Sequence, residues 1–143
     1  NWGSNSVAAN QGIALIQAYR LSGNKKYLDF ALANLDYIVG RNGTGYSYLT
    51  GFGSKTPMHP HHRPSVADGI AEPVPGLLAG GPNPGMQDKI KIPSLNPDEA
   101  YIDDDRAYAV NEIAINWNAP FAYLANAIEA LQDQLKNRRL THL

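Results

Sequence analysis

The chain has 143 residues, a formal net charge of -1, 43% hydrophobic and 17% charged residues, and no cysteine. That length suits one modest domain or a piece of a larger one, and near-zero charge argues against a nucleic-acid binder, which needs a basic face for phosphates. No apolar run approaches the ~20 residues that span a bilayer, no N-terminal stretch resembles a signal peptide, and the lack of cysteine removes disulfides, thiolate metal sites and a cysteine nucleophile while saying little about compartment.

Two helices are predicted at the start. Residues 7–21 are rich in Ala and Leu, with Ser6 as N-cap and Gly23 as terminator. Asn24 is placed to cap a second helix, in which Leu28, Ala31, Leu32, Leu35, Ile38 and Val39 recur at helical spacing before Gly40 and Gly43 stop it. Residues 104–117 read as a third helix, with acids in its first turn where the dipole favours them. Pro120 suits the first turn of a fourth, whose apolar stripe is Phe121, Leu124, Ile128, Leu131 and Leu135. Lys136, Arg138 and Arg139 read as cations near a helix C-terminus or as a solvated tail.

Between the helix pairs, residues 41–101 lack periodicity and hold most of the glycine and proline. Loops beyond ~12–15 residues are uncommon in compact domains and usually functional or disordered. Tyr46, Tyr48, Leu49, Phe52, Leu77 and Leu78 make this one too apolar for disorder. Residues 46–50 have the composition of a short strand. Four helices alone would struggle to order so long a loop, so further protein is expected to pack against it. The chain begins at Asn1 rather than methionine, as expected of a processed or cut start.

Three signals carry chemistry. Three of the four histidines fall in Met58-His59-Pro60-His61-His62-Arg63. His-x-His is a common metal-ligand spacing, but a fixed cation at Arg63 disfavours a divalent ion. A hydrogen-bonding wall for a polar ligand, from imidazole and the guanidinium fork, is the alternative; loop-satisfying histidines are a third reading. Second, Glu112 stands in an apolar stretch predicted helical, four residues after Tyr108 and on its face. Desolvation there favours a protonated carboxyl, as a general acid requires. The structural alternative is a buried Glu112–Arg106 pair. Third, Trp2, Tyr46, Tyr48, Phe52, Tyr101, Tyr108 and Trp117 offer faces for sugar rings, or core packing. Gly80-Gly81-Pro82-Asn83-Pro84-Gly85 lacks the Lys-Ser/Thr of a phosphate loop, and the Asn42-Gly43-Thr44 sequon is of a kind frequent by chance.

These residues resemble a family. The segment from Ser47 through Leu49, Thr50, Gly51, Phe52, Gly53 and Lys55 to Pro60-His61-His62-Arg63 resembles the histidine signature of glycoside hydrolase family 9 cellulases. Tyr101-Ile102-Asp103, then Tyr108, Glu112, Ala114, Asn118 and Ala119, resembles the same family's acidic signature. Gly80-Gly81-Pro82-Asn83 is similar to the loop joining them, and Asn1 to Ser6 to a segment upstream.

The resemblance implies an all-α fold, residues 1–143 forming the C-terminal third of an (α/α)6 barrel catalytic domain: four helices and a long active-site loop. It implies inverting hydrolysis of β-1,4-glucan, with Glu112 matching the general acid. Asp103 matches the second acidic position and orders the site. His61, with Arg63 as companion, would hydrogen-bond sugar hydroxyls, and Tyr108 and Trp117 would lie near the sugar. Asp68 is a candidate to order a loop or a structural calcium; the chemistry needs no cofactor. An inverting enzyme also needs a base carboxylate across the cleft, which the family carries in an Asp-Ala-Gly-Asp type motif that does not occur here. The chain is thus expected to work only with the rest of its barrel, on a β-1,4-glucan met outside the cell. A non-catalytic glucan-binding module, and a metal-dependent hydrolase using His59, His61 and His62 with an aspartate, are the competing readings.

Overall fold

The computed structural model describes residues 1–136; Arg138 and Arg139 lie outside them. Within them the chain is helical, with isolated β-bridges and no strand. The elements are α1 (Ser4–Ser22), α2 (Lys25–Ile38), α3 (Arg63–Ala67), α4 (Tyr108–Asn111), α5 (Ile115–Ala130) and α6 (Gln132–Lys136).

Helix α1 begins earlier than its Ser6 cap predicts. Gly3 takes the N-cap position at φ 76. The Asn5 N–H instead donates to Gly80 O at 3.0 Å, and its Nδ2 donates to Ala79 O at 2.9 Å. A distant loop thus satisfies one of the backbone donors that a helix start leaves orphaned. The other end follows the sequence. Gly23 adopts φ 69 and donates to Tyr19 O, and Asn24 accepts from Lys26 N at 3.1 Å to start α2.

α1 and α2 pack as an antiparallel pair, burying Ala9, Ile16, Leu28, Ala31 and Ile38, and α5 lies across them with Leu124 and Ile128 buried. Gly12 sits inside α1 because a Cβ there would fall 2.7 Å from Leu124 Cδ2. The missing side chain lets α1 and α5 approach, against a helix-propensity cost of roughly 0.5–1 kcal/mol.

Two elements differ from the sequence reading. Residues 104–117 are not one helix. Residues 104–107 form a turn, α4 is a single turn, Glu112 to Ala114 are extended, and α5 starts at Ile115. The cause is capture by other backbone. His61 N donates to Asn111 O at 2.8 Å, Gly80 N to Glu112 O at 3.0 Å, and Gly81 N to Val110 O at 2.8 Å. These bonds take carbonyls that a continuing helix would use. Pro120 therefore lies inside α5 rather than in its first turn. Residues 46–50 make no strand. Leu49 forms a lone antiparallel bridge with Leu78, and Gly51 at φ 74 turns the chain away.

The long middle segment is ordered by its own polar groups as well as by the helices. Asn42 donates to Tyr37 O and Tyr46 O and accepts from Thr44 N, Thr44 Oγ1 and Gly45 N. The sequon asparagine is consumed as a loop brace. Tyr48 and Tyr101 are buried edge-to-face at 5.0 Å between ring centroids, with Tyr46 5.1 Å from Tyr101.

Gly12→Ala is expected to lower unfolding stability by about 1–3 kcal/mol through overpacking against the buried Leu124, although alanine is the better helix former. Thermal unfolding of a complete domain carrying the substitution checks this; a stabilised variant would show that the α1–α5 contact has room to spare.

Candidate active site

The site is built where the histidine loop meets the broken helix. His61 and Glu112 form a parallel β-bridge, and Ile113 bridges Ala79 in antiparallel fashion. Backbone pairing on both sides thus sets the position of Glu112. Residue 112 caps α4 at φ -66, ψ 145 and is half-buried, and its carboxyl makes no hydrogen bond or ion pair among the described residues. The apolar helical face expected around it is absent, because its backbone has been drawn out of the helix. The expected alternative partner is also taken: Arg106 grips Asp104, donating from Nε to Oδ1 at 2.9 Å and from Nη2 to Oδ2 at 2.6 Å.

His61 is held by its ring as well as its backbone. Its Nδ1 donates to Asp105 O at 2.5 Å, which leaves Nε2 as the acceptor of the neutral ring. The His61 ring lies 5.9 Å from Tyr108, and Tyr108 lies 5.4 Å from Trp2. Trp2, Tyr108 and His61 therefore form a continuous aromatic run beside Glu112. The Tyr108 hydroxyl donates to Gln87 O, and Asp88 Oδ2 accepts from Ala109 N at 2.8 Å, satisfying a donor at the start of α4.

Asp103 engages the backbone of the histidine loop. It accepts from Met58 N at 2.7 Å and His59 N at 2.9 Å, so it clamps the histidine loop. Arg63 is exposed at the start of α3 and shares a groove with His61, His62, Asp105 and Arg106. Trp117 is half-buried, wedged between backbone segments: a Cβ at Gly3 would fall 2.7 Å from its ring, and one at Gly80 3.0 Å. Asn118 accepts from Leu78 N at 2.8 Å and donates to Leu78 O at 3.2 Å, completing the seam beside Glu112.

The structure also gives the candidate aromatic Trp2 its place and brings in Asn111, to which the sequence reading gave no role. Trp2 extends the aromatic run. Asn111 is fully buried and bonds both Asp103 and Tyr101. Its one sequence signal was a polar residue inside an apolar, supposedly helical stretch.

The metal reading finds no support in this geometry. Beyond the His61 bond to Asp105 O, His62 Nδ1 pairs with Ser65 Oγ at 2.8 Å. Among the described residues no group of three or more His, Cys, Asp or Glu is placed to hold a metal. Asp68 accepts from Ile70 N at 2.8 Å, closing its own turn; its surroundings do not form a calcium site by themselves.

The sequence model of glycosyl hydrolase family 9 matches residues 1–125. The chain belongs to this family. It is 53% identical over 122 residues to a xyloglucan-specific endo-β-1,4-glucanase of Bacteroides ovatus, a match covering 85% of this chain and 21% of that protein. A cellulose 1,4-β-cellobiosidase of Acetivibrio thermocellus is 39% identical over 137 residues, covering 91% of this chain and 15% of that protein. A solved Bacteroides ovatus family 9 structure superposes at a TM-score of 0.82 and 47% identity, covering 91% of this chain and 22% of that one. The chain thus spans about a fifth of the length of these relatives, and its fold is a part of the family's helical (α/α)6 barrel.

The Arg106 fork and the Arg106 N–H lower the Asp104 carboxyl from 3.8 to about 2. A depressed carboxylate stabilises the fold above its unfolded value, and that contribution is lost as pH falls through the folded value. Asp104→Asn is therefore expected to lower the urea midpoint at pH 5–7, with the gap to the parent narrowing below about pH 4 and closing toward pH 2. A gap independent of pH would show that the ion pair is not its source.

Proposed function

We propose that the chain supplies the acid-bearing, sugar-contacting wall of a glycoside hydrolase that cleaves β-1,4-glucosidic bonds of cellulose or related glucans with inversion. The observation that carries this reading is the His61–Glu112 bridge. It fixes a carboxyl that has no partner among the described residues beside an imidazole and an aromatic run. Apolar sugar faces stack on aromatic rings, and hydroxyls need donors and acceptors in fixed places.

In this reading Glu112 protonates the departing glycosidic oxygen. His61 accepts from a sugar hydroxyl through Nε2, Arg63 donates to neighbouring hydroxyls, and Tyr108 and Trp117 supply apolar surface. Asp103 acts by holding the histidine loop. The base that activates water lies outside these 143 residues, across the cleft at roughly 6.5–9.5 Å from the acid. The rest of a catalytic domain is thus the chain's partner. The exposure of Leu21 and Ile115, both at 90%, and of Phe30 supports that, because such apolar surface is available for it to cover. In this reading the enzyme works outside the cell, where an insoluble polymer is met.

The relatives' named activities, on xyloglucan and on cellulose, share a β-1,4-glucan backbone, and the proposal is confined to that linkage. A glucan-binding module without catalysis would explain the aromatic run and His61. It would not explain a carboxyl held beside them without a partner among the described residues.

Glu112→Gln in a complete catalytic domain is expected to lower kcat on cello-oligosaccharides by ~10²–10⁴-fold, the range of general acid catalysis. Aryl cellobiosides whose leaving group needs no proton should be hurt far less. Equal losses on both substrates would remove Glu112 from the acid role.

A further inference from the structure

Asn111 precedes Glu112 in the chain and is fully buried. Its side chain meets two segments, the histidine loop and residues 101–103. Nδ2 donates to His59 O at 2.6 Å and to Asp103 Oδ1 at 3.2 Å, while Oδ1 accepts from the Tyr101 hydroxyl at 2.5 Å. Its backbone carbonyl accepts from His61 N at 2.8 Å. One residue therefore bonds the histidine loop twice, the 101–103 segment twice, and leads directly into the extended residue 112.

We propose that Asn111 is a positioning residue for hydrolysis, fixing the acid Glu112 relative to the sugar-contacting His61. The proposal rests on the reading of Glu112 as the acid. The chemistry of the pocket admits only a carboxamide. Tyr101 presents a donor, whereas His59 O and Asp103 present acceptors, so the occupant must accept on one side and donate on the other. Aspartate would set a carboxylate against Asp103 and a carbonyl. Serine is too short to span both sides and leaves buried groups unpaired. Gln has the right groups on a longer arm, for which a fully buried site has no room. Loss of the brace would let the His61 and Glu112 segments shift relative to one another, and misplacement of about 1 Å can cost ~10²-fold in rate.

The test uses a complete catalytic domain carrying Asn111→Asp, Asn111→Ser or Tyr101→Phe, the last removing only the bond to Oδ1. Circular dichroism and thermal midpoints establish which variants are folded. Then kcat is measured on a cello-oligosaccharide and on a dinitrophenyl cellobioside, alongside Glu112→Gln. Folded Asn111 variants are expected to lose at least ~10-fold on the oligosaccharide and several-fold less on the activated glycoside, with Tyr101→Phe showing the same split more weakly. Equal losses on both substrates, or none, would reduce Asn111 to a structural residue and overturn the proposal. If neither Asn111 variant folds, the presence or absence of the split in Tyr101→Phe decides it. A split in Glu112→Gln without one in the other variants sinks the Asn111 proposal alone; no split in Glu112→Gln sinks the acid reading and the proposal with it.

Discussion

Capture of residues 110–113 by two distant backbone segments governs this structure. His61 N–H takes the Asn111 carbonyl, and the amides of Gly80 and Gly81 take those of Glu112 and Val110. Each such bond is worth only about 0.5–1.5 kcal/mol net. Together they outweigh continuing one helix through four apolar residues and an acid, because the chain has other uses for those carbonyls. The result is a carboxyl on extended backbone with a neighbour on either side, rather than on a helix whose rotation would set its aim.

The glycines at 80 and 81 earn their place here through close approach. A Cβ on Gly81 would collide with Asn5, and one on Gly80 would press on Trp117 and the Val110 carbonyl. The same segment caps α1 through Asn5 and is gripped by Asn118 of α5. The helices therefore act as the mount for a loop, and the loop in turn holds Glu112. Behind it, the Tyr46–Tyr101–Tyr48 cluster fills the base of the wall. Burial and the nearby Asp103 raise the Tyr101 hydroxyl well above its ordinary value, so it stays a donor to Asn111.

What the sequence made legible was local. Gly23 and Asn24 end one helix and start the next through bonds within four residues. The break at Glu112 was not legible, since its causes lie at residues 61 and 80. Propensity alone favoured a helix, and tertiary hydrogen bonds overrode it. The early start of α1 was missed for the same reason. Family resemblance named Glu112, His61, Arg63 and Asp103 as candidates without their geometry. The structure adds that Asp103 serves the histidine loop and that Arg106 is spent on Asp104. Asn111 was hidden because a lone amide in an apolar run has no motif of its own.

The most direct test is a crystal structure of a complete catalytic domain containing this sequence, with Glu112→Gln to keep a bound cello-oligosaccharide intact. The account predicts the residue 112 side chain at ~3 Å from the scissile glycosidic oxygen, His61 bonded to a hydroxyl of an adjoining sugar, and a base carboxylate roughly 6.5–9.5 Å across the cleft. A scissile bond bound against a different carboxylate, or a second carboxylate at about 5–5.5 Å as in a retaining enzyme, would contradict it.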